Sequence, residues 1–317
     1  MIEGGFFRLV PALIALFLLT ACTSPPVSAA PEMPDQRDSV TFIDSLGRHV
    51  TVSNPQRVAA LTGSFADMWC LAGGKEQLVA AAGDTWTQFD LGLPENVVDL
   101  GGVKSINLEL LAAAQPDLVL ASSNTTAQVE LLKTLEQLGL TVAYFKVASF
   151  QEYLHMLDIV TRITGCPENY RLYGDAVAQQ VSAARERYDG SAPSVLYIRA
   201  TGSSCKVKSS QDSVLGEMLA DLGCVNIADS QATLLEELSM EVILQEDPDF
   251  IFAVIQGSDP RSGESLLHRT LLDNPAWNTL TAVQEERFHV LDQTLYNLKP
   301  NARWGDAYEQ LAAILYP

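Results

Sequence analysis

Two glutamates lie 132 residues apart (241 − 109) in the same local pattern. Asn107-Leu-Glu109, followed by Pro116-Asp117-Leu-Val, matches Ser239-Met-Glu241, followed by Pro248-Asp249-Phe-Ile, at every spacing. In each copy a residue able to cap a helix precedes the acid by two positions, about two helical turns follow, and Pro-Asp opens an apolar strand. The pattern implies two related lobes, each displaying one carboxylate at the same point. Such a pair suits a cationic partner with matching two-fold symmetry. Each acid equally suits the positive end of its own helix dipole, where it is worth roughly 0.3–1 kcal/mol.

A second group of residues has the chemistry of ligand recognition. In two-lobed α/β proteins, ligand contacts come from loops at the carboxyl ends of strands. Small polar loops follow the apolar runs 58–61, 117–121 and 250–254, and they contribute Thr62, Ser64, Ser123 and Gln256 as candidates. Trp86 lies in the polar run 84–90, and Arg199 and Lys206 follow the run 195–198. Tyr296, Lys299, Arg303 and Trp304 cluster near the C-terminus of a chain short of both bases and tryptophan. Trp and Tyr offer flat faces to a large planar or chelated ligand, and Arg or Lys neutralises its anionic groups. Trp304 also begins a stripe with Tyr308 and Leu311, the spacing of a core-facing helix, so it has two readings.

Other chemistries lack their constellations. His49, His155, His268 and His289 have no metal-binding spacing, and the five cysteines at 22, 70, 166, 205 and 224 contain no C-x-x-C pair. No metal site or cofactor is therefore expected. Cys70 reads as core, whereas Cys205 and Cys224 are loop-like and could pair. No nucleophile elbow, P-loop or dinucleotide fingerprint occurs at a strand-to-helix turn, so an enzyme is not expected.

The elements that must position these residues alternate short apolar strands with helical stretches, the mark of an α/β fold with mainly parallel sheets. Ser149 and Glu152 form a capping box ahead of an amphipathic helix that Gly165 and Pro167 end. A second helical stretch, residues 168–188, would run about 32 Å at 1.5 Å per residue, long enough to join two lobes. The expected organisation is an N-terminal lobe over 39–148, a helical segment over 149–189 and a C-terminal lobe over 190–317.

The chain has 317 residues, 20 Lys+Arg against 39 Asp+Glu, and a net charge of −19. That excess of acid opposes nucleic-acid binding, because phosphates are held by basic side chains. Residues 9–20 form an apolar run behind Arg8, too short for a ~30 Å hydrocarbon core and fitting a signal peptide over 1–21. Leu19-Thr20-Ala21-Cys22 resembles the bacterial lipobox, which implies acylation of Cys22 and attachment to a bilayer. Residues 22–38, rich in Pro, Ser and Ala, read as a flexible tether.

Taken in order, Asp44-Ser-Leu-Gly47-Arg48-x-Val50, Pro55-x-Arg57-Val58, Gly101-Gly102 before Asn107-Leu-Glu109, Pro116-Asp117-Leu-Val-Leu, Asn274-Pro-Ala-Trp277 and Arg287-Phe-His-Val-Leu291 resemble the ferric-siderophore and cobalamin substrate-binding proteins of ABC importers. The resemblance runs from about residue 40 to 317. It implies two Rossmann-like lobes joined by a long rigid helix, with a metal chelate held between them. A ferric siderophore is the first expectation; a cobamide, haem or a chelate-processing enzyme are the alternatives. It further implies that Glu109 and Glu241 dock on a permease dimer, and that the protein is an extracytoplasmic, membrane-anchored monomer. The sequence departs from the family at Phe65-Ala-Asp67, where relatives more often carry Glu, and at Gly223-Cys224, where a second Gly is usual.

Overall fold

The computed structural model describes residues 39–317 except Ser258, so the expected signal peptide, tether and Cys22 lie outside the described residues. After an antiparallel hairpin of β1 (Val40–Ile43) and β2 (His49–Val52), the chain builds two five-stranded sheets. The first contains β3 (Val58–Ala60), β4 (Leu78–Ala81), β5 (Val98–Asp99), β6 (Leu118–Ser122) and β7 (Val142–Phe145), all parallel, in the order β5-β4-β3-β6-β7. The second contains β8 (Ser194–Ala200), β9 (Cys205–Lys208), β10 (Val225–Asn226), β11 (Phe250–Ile255) and β12 (Phe288–Leu291), in the order β10-β8-β11-β12. Here β9 is the antiparallel exception, paired with β8.

Four strands of each sheet follow one plan, β4-β3-β6-β7 against β10-β8-β11-β12, as the repeat in the sequence implies. The repeated motifs explain how. Asn107 Oδ1 accepts from the amides of Glu109 and Leu110, and Ser239 Oγ accepts from that of Val242. The seven-residue helices they cap end in left-handed residues, Gln115 (φ 48) and Asp247 (φ 38). The aspartates of the two Pro-Asp pairs then fasten neighbouring strands. Asp117 accepts from the amides of Gln56 and Arg57 just before β3, and Asp249 accepts from the Ser194 amide and hydroxyl at the start of β8.

Eight helical segments matter for the site. They are α1 (Gly63–Leu71), α2 (Asp84–Gln88), α3 (Leu108–Ala114), α4 (Phe150–Thr164), α5 (residues 167–185), α6 (Met240–Glu246), α7 (Pro260–Leu267) and α8 (Trp304–Leu315). Both halves of the Ser149–Glu152 capping box form, and α4 stops at Gly165 in the left-handed region. The expected helix over 168–188 is present as α5, with a π-helical turn at Arg171–Asp175. It ends at 185 because the next residues pair with the C-terminus: Arg187 donates to the Tyr316 carbonyl, and Tyr188 packs edge-on against Tyr316. Helix α8 lies along α5. Gly305 makes that approach possible, since a Cβ there would run into the Gln180 side chain.

Strand alternation sorts side chains into separate cores. Ala59, Val119 and Tyr144 fill the outer face of the first sheet, and Leu196, Ile251 and Trp277 that of the second. The opposite faces share one core. Val58, Leu118 and Phe145 join Val195, Tyr197 and Phe252 through α1, α4, α5 and α8. Lobes bound by a continuous close-packed core are expected to shift little on binding a ligand.

The two cysteines considered as a pair are both free thiols. Cys205 opens β9 and packs against the outer core of the second sheet, whereas Cys224 is buried in the shared core. The sheet stands between them.

Candidate ligand-binding cleft

Loops at the carboxyl ends of the strands converge on a cavity of about 280 Å³ between the sheets. Thr62 and Ser64 come from the β3–α1 turn, Asp84 opens α2, Asn124 and Thr125 follow β6, and Val147 and Ala148 follow β7. The second lobe contributes Tyr197 and Arg199 of β8, Asp212 to Val214, and Gln256 at the end of β11, while Asn297 to Lys299 come from the segment leading to α8. Thr62 does double duty, since its hydroxyl accepts from the Phe65 amide and caps α1. Lys146 links the lobes beside the cavity, its Nζ 2.8 Å from the lining Asp212 and 3.4 Å from Glu152.

Four of the candidates therefore meet in one cavity: Thr62, Ser64, Arg199 and Gln256. Ser123 stops one residue short of its lining neighbour Asn124. Lys206 borders an adjoining groove together with Arg199 and Gln256. Trp86 stands on the surface of α2, 42% exposed, two residues beyond the lining Asp84. The C-terminal cluster differs most from expectation. Trp304 is fully buried against Phe150, Tyr153 and Tyr308, so the core stripe is its reading. Tyr296 is 1% exposed and its hydroxyl donates to the Ala307 carbonyl. Arg303 faces solvent and pairs with Asp306 at 3.6 Å. Lys299 is the member of that cluster that reaches the cavity.

Asp67, at the position that departs from the family pattern, does not line the cavity. Its carboxylate accepts from Asn301 Nδ2 at 2.8 Å, and the same amide donates to the Ser64 carbonyl at 2.7 Å. These bonds fasten the segment bearing Lys299 to the start of α1. Glu109 and Glu241 are both exposed in the first turns of α3 and α6, and neither lines the cavity.

Charge sets the character of the site. Lys104, Arg199 and Lys299 line the cavity, and Lys206 and Lys208 stand beside Arg199 on the β8–β9 pair. The ion pairs among the described residues use Arg48, Lys146, Arg162, Arg185, Arg261, Arg287 and Arg303 as their cations, and none of these five. Burial lowers the Lys299 pKa, with Arg199 adding repulsion and Asp84 and Glu152 opposing it. Burial also pushes the Asp84 carboxyl up to about 6. The hydrogen bond from the Gly63 amide and the charge of Lys299 hold it from rising further, while Asp99 adds repulsion. Among the described residues no group of three or more His, Cys, Asp or Glu could hold a metal ion. The arrangement is suited to gripping an anion through charge-assisted hydrogen bonds.

Asp84, Lys104, Asn124, Tyr197 and Asp212 also line the cavity and are not among the candidates that the sequence singles out. Asp84 and Asn124 lie in loops that follow strands, and so were within reach of the loop rule. Asp212 takes a left-handed backbone (φ 59) that its own sequence does not signal.

Residues 58–295 match the family described as "Periplasmic binding protein". No curated protein matches the chain in sequence. Among solved structures, the siderophore-binding protein BauB, bound to a complex of two acinetobactin molecules and ferric iron, superposes with a TM-score of 0.71 at 16% identity, covering 88% of this chain and 99% of that one. Staphylococcus aureus SirA complexed with staphyloferrin B gives 0.64 at 19% identity, covering 87% and 97%. S. aureus IsdE complexed with heme gives 0.67 at 17% identity, covering 82% and 99%. At these identities the likeness to the solved structures is one of fold, and it includes the helical connection between lobes. With its family match and its duplicated parallel sheets, the chain belongs to the periplasmic binding protein family.

Proposed function

We propose that this chain captures a ferric chelate with anionic oxygen groups in its interlobe cleft and delivers it to an ABC permease, without acting on it chemically. The observation that carries the reading is the gathering of Lys104, Arg199 and Lys299, free of ion-pair partners among the described residues, in one cavity of a chain with net charge −19. Holding like charges together in a half-buried site is costly, and an anionic ligand reverses that cost. The complex of acinetobactin and ferric iron bound by BauB fits such a site. The heme complexed with IsdE fits less well, because among the described residues the lining offers one phenol, Tyr197, and no imidazole to reach an iron axially. Acylation at Cys22 would tether the protein outside the cell, with Glu109 and Glu241 as its permease contacts.

A thermal-shift screen at about 100 Kd of each ligand tests the reading, since a true ligand adds about 2.7 kcal/mol of stability there. Iron(III) citrate, iron(III) catecholates, neutral iron(III) hydroxamates, haem and cobalamin form the panel. Stabilisation by an oxygen-donor ferric chelate is expected. A response to haem or cobalamin alone would transfer the assignment to that ligand.

The cleft also predicts a pH dependence. Because folding raises the Asp84 pKa, the folded protein holds its proton up to about pH 6, and above that pH a negative charge faces the ligand. Affinity for an anionic chelate is therefore expected to rise as pH falls from 7.5 to 5.5. The gain should be about tenfold, equivalent to ~1.4 kcal/mol. Calorimetry on Asp84→Asn should show that gain already present at pH 7.5 and the pH dependence flattened. An unchanged profile would remove Asp84 from the ligand's surroundings.

A further inference from the structure

The antiparallel pairing of β8 and β9 sets Arg199 directly opposite Lys206 and Tyr197 opposite Lys208. Strand alternation puts these four side chains on one face, while Val207 enters the outer core. Like charges directly opposite each other destabilise a strand pair. Burial, then Arg199 and Lys206, lower the Lys208 pKa against the opposing charge of Asp212, so this face carries an electrostatic cost that Asp212 offsets only in part. No ion pair among the described residues relieves it. The fold retains the repulsion on a face that runs from the cleft out to a second hollow.

That hollow is a groove of about 550 Å³ that shares Lys104, Arg199 and Gln256 with the cleft, so the two are continuous through a cationic neck. Its outer walls are Lys206, the loop from Thr201 to Ser204, and Ser262 of α7. The loop is preformed. The Thr201 amide donates to the Ser204 carbonyl at 2.7 Å, and Thr201 Oγ1 accepts from the amides of Ser203 and Ser204. Among the described residues one acid lies on the rim, Asp259, which already accepts from the Ser262 hydroxyl and lies 4.0 Å from Arg261. The cleft alone, at about 280 Å³, sits at the lower edge of the roughly 300–1,000 Å³ usual for small-molecule sites. A chelate seated there has somewhere to extend, and the extension is lined by a cation and hydroxyls.

We propose that the groove is a second anion subsite, in which Lys206 and the loop from Thr201 to Ser204 hold a pendant carboxylate arm of the chelate whose metal core sits in the cleft. The inference rests on the chelate reading above. It makes Lys206 a specificity determinant, selecting ligands that carry a free carboxylate beyond the iron-binding groups.

The test titrates wild type, Lys206→Glu and Arg199→Glu with two probes in a calorimeter: iron(III) citrate, with uncoordinated carboxylate, and the neutral tris(acetohydroxamato)iron(III). Lys206→Glu is expected to lose tenfold or more in affinity for iron(III) citrate and to bind the neutral chelate as wild type does. Arg199→Glu, at the neck, should weaken iron(III) citrate at least as much. Lys206 is exposed, so its replacement leaves the fold intact, and circular dichroism checks this for both variants. Iron-free citrate added to labelled wild type should also shift the amide resonances of residues 201–204, and should not do so in Lys206→Glu. Unchanged citrate affinity in Lys206→Glu, or equal losses for both probes, overturns the subsite while a weakened Arg199→Glu leaves the cleft standing. Failure of wild type to bind either probe overturns both.

Discussion

Replacing Glu109 and Glu241 together by lysine is expected to abolish chelate uptake by cells while leaving the affinity of the purified protein for its chelate within about twofold. The fold should survive. Helix α3 is capped by the Asn107 side chain and α6 by Ser239, so neither cap depends on the glutamate. Reversing a charge in the first turn costs only about 1 kcal/mol per helix through the macrodipole. The placement argues for the transport effect. In a parallel sheet the helix that leads into a strand runs against it, so the first turns of α3 and α6 lie at the carboxyl ends of the strands, the edge where the cleft forms. The two carboxylates thus mark equivalent points of the duplicated lobes on the ligand-bearing face. A permease dimer with basic residues at two related points would meet both at once, and reversal would set like charges against each other at a cost of several kcal/mol. Single reversals should give intermediate uptake. Normal uptake of radiolabelled iron by the double variant would end the docking assignment. In the same cells Cys22→Ser should lose incorporation of labelled palmitate; retained label would place the anchor elsewhere.

The two related lobes, the caps and the connecting helices were legible because each rests on local spacing. Asn107, Ser239 and the Ser149–Glu152 box announce helix starts, and Pro-Asp announces the strands whose neighbours Asp117 and Asp249 fasten. The cleft was half legible. Thr62, Ser64, Arg199 and Gln256 lie where the loop rule puts them, immediately at or after strand ends. The aromatic candidates were harder to place for a physical reason. A helical stripe beginning at Trp304 shows that the residue faces something apolar, but period alone does not say whether that is the core or a ligand. Lys299 and Arg303 differ only in which side of a backbone reversal they occupy. Asn301, in the left-handed region at φ 51, turns the chain between them and is held there by Ser64 and Asp67, residues more than 230 positions away. No local signal encodes a contact of that range.

Trp304→Ala is expected to destabilise the protein by about 3–5 kcal/mol, the cost of emptying a fully buried aromatic site. For a chain of this size that corresponds to a fall of roughly 5–10 °C in Tm. Trp304 packs against Phe150 at 5.9 Å, Tyr153 at 6.3 Å and Tyr308 at 6.2 Å, where α4 and α8 meet inside the core that serves both sheets. The loss should therefore reach both lobes, and calorimetry should show one transition displaced as a unit. Two separated transitions, or a loss under ~1 kcal/mol, would mean that the lobes do not share their stability as this packing requires. The indole nitrogen sharpens the test, because Trp304 Nε1 is buried with no hydrogen-bond partner among the described residues. Trp304→Phe gives up part of the ring volume but also removes an unpaired donor whose burial costs about 1–3 kcal/mol, so it should retain most of the stability that alanine loses. Ligand affinity in both variants should stay within about threefold of wild type, since Trp304 does not line the cavity and Lys299 is held through Asn301 rather than through the indole.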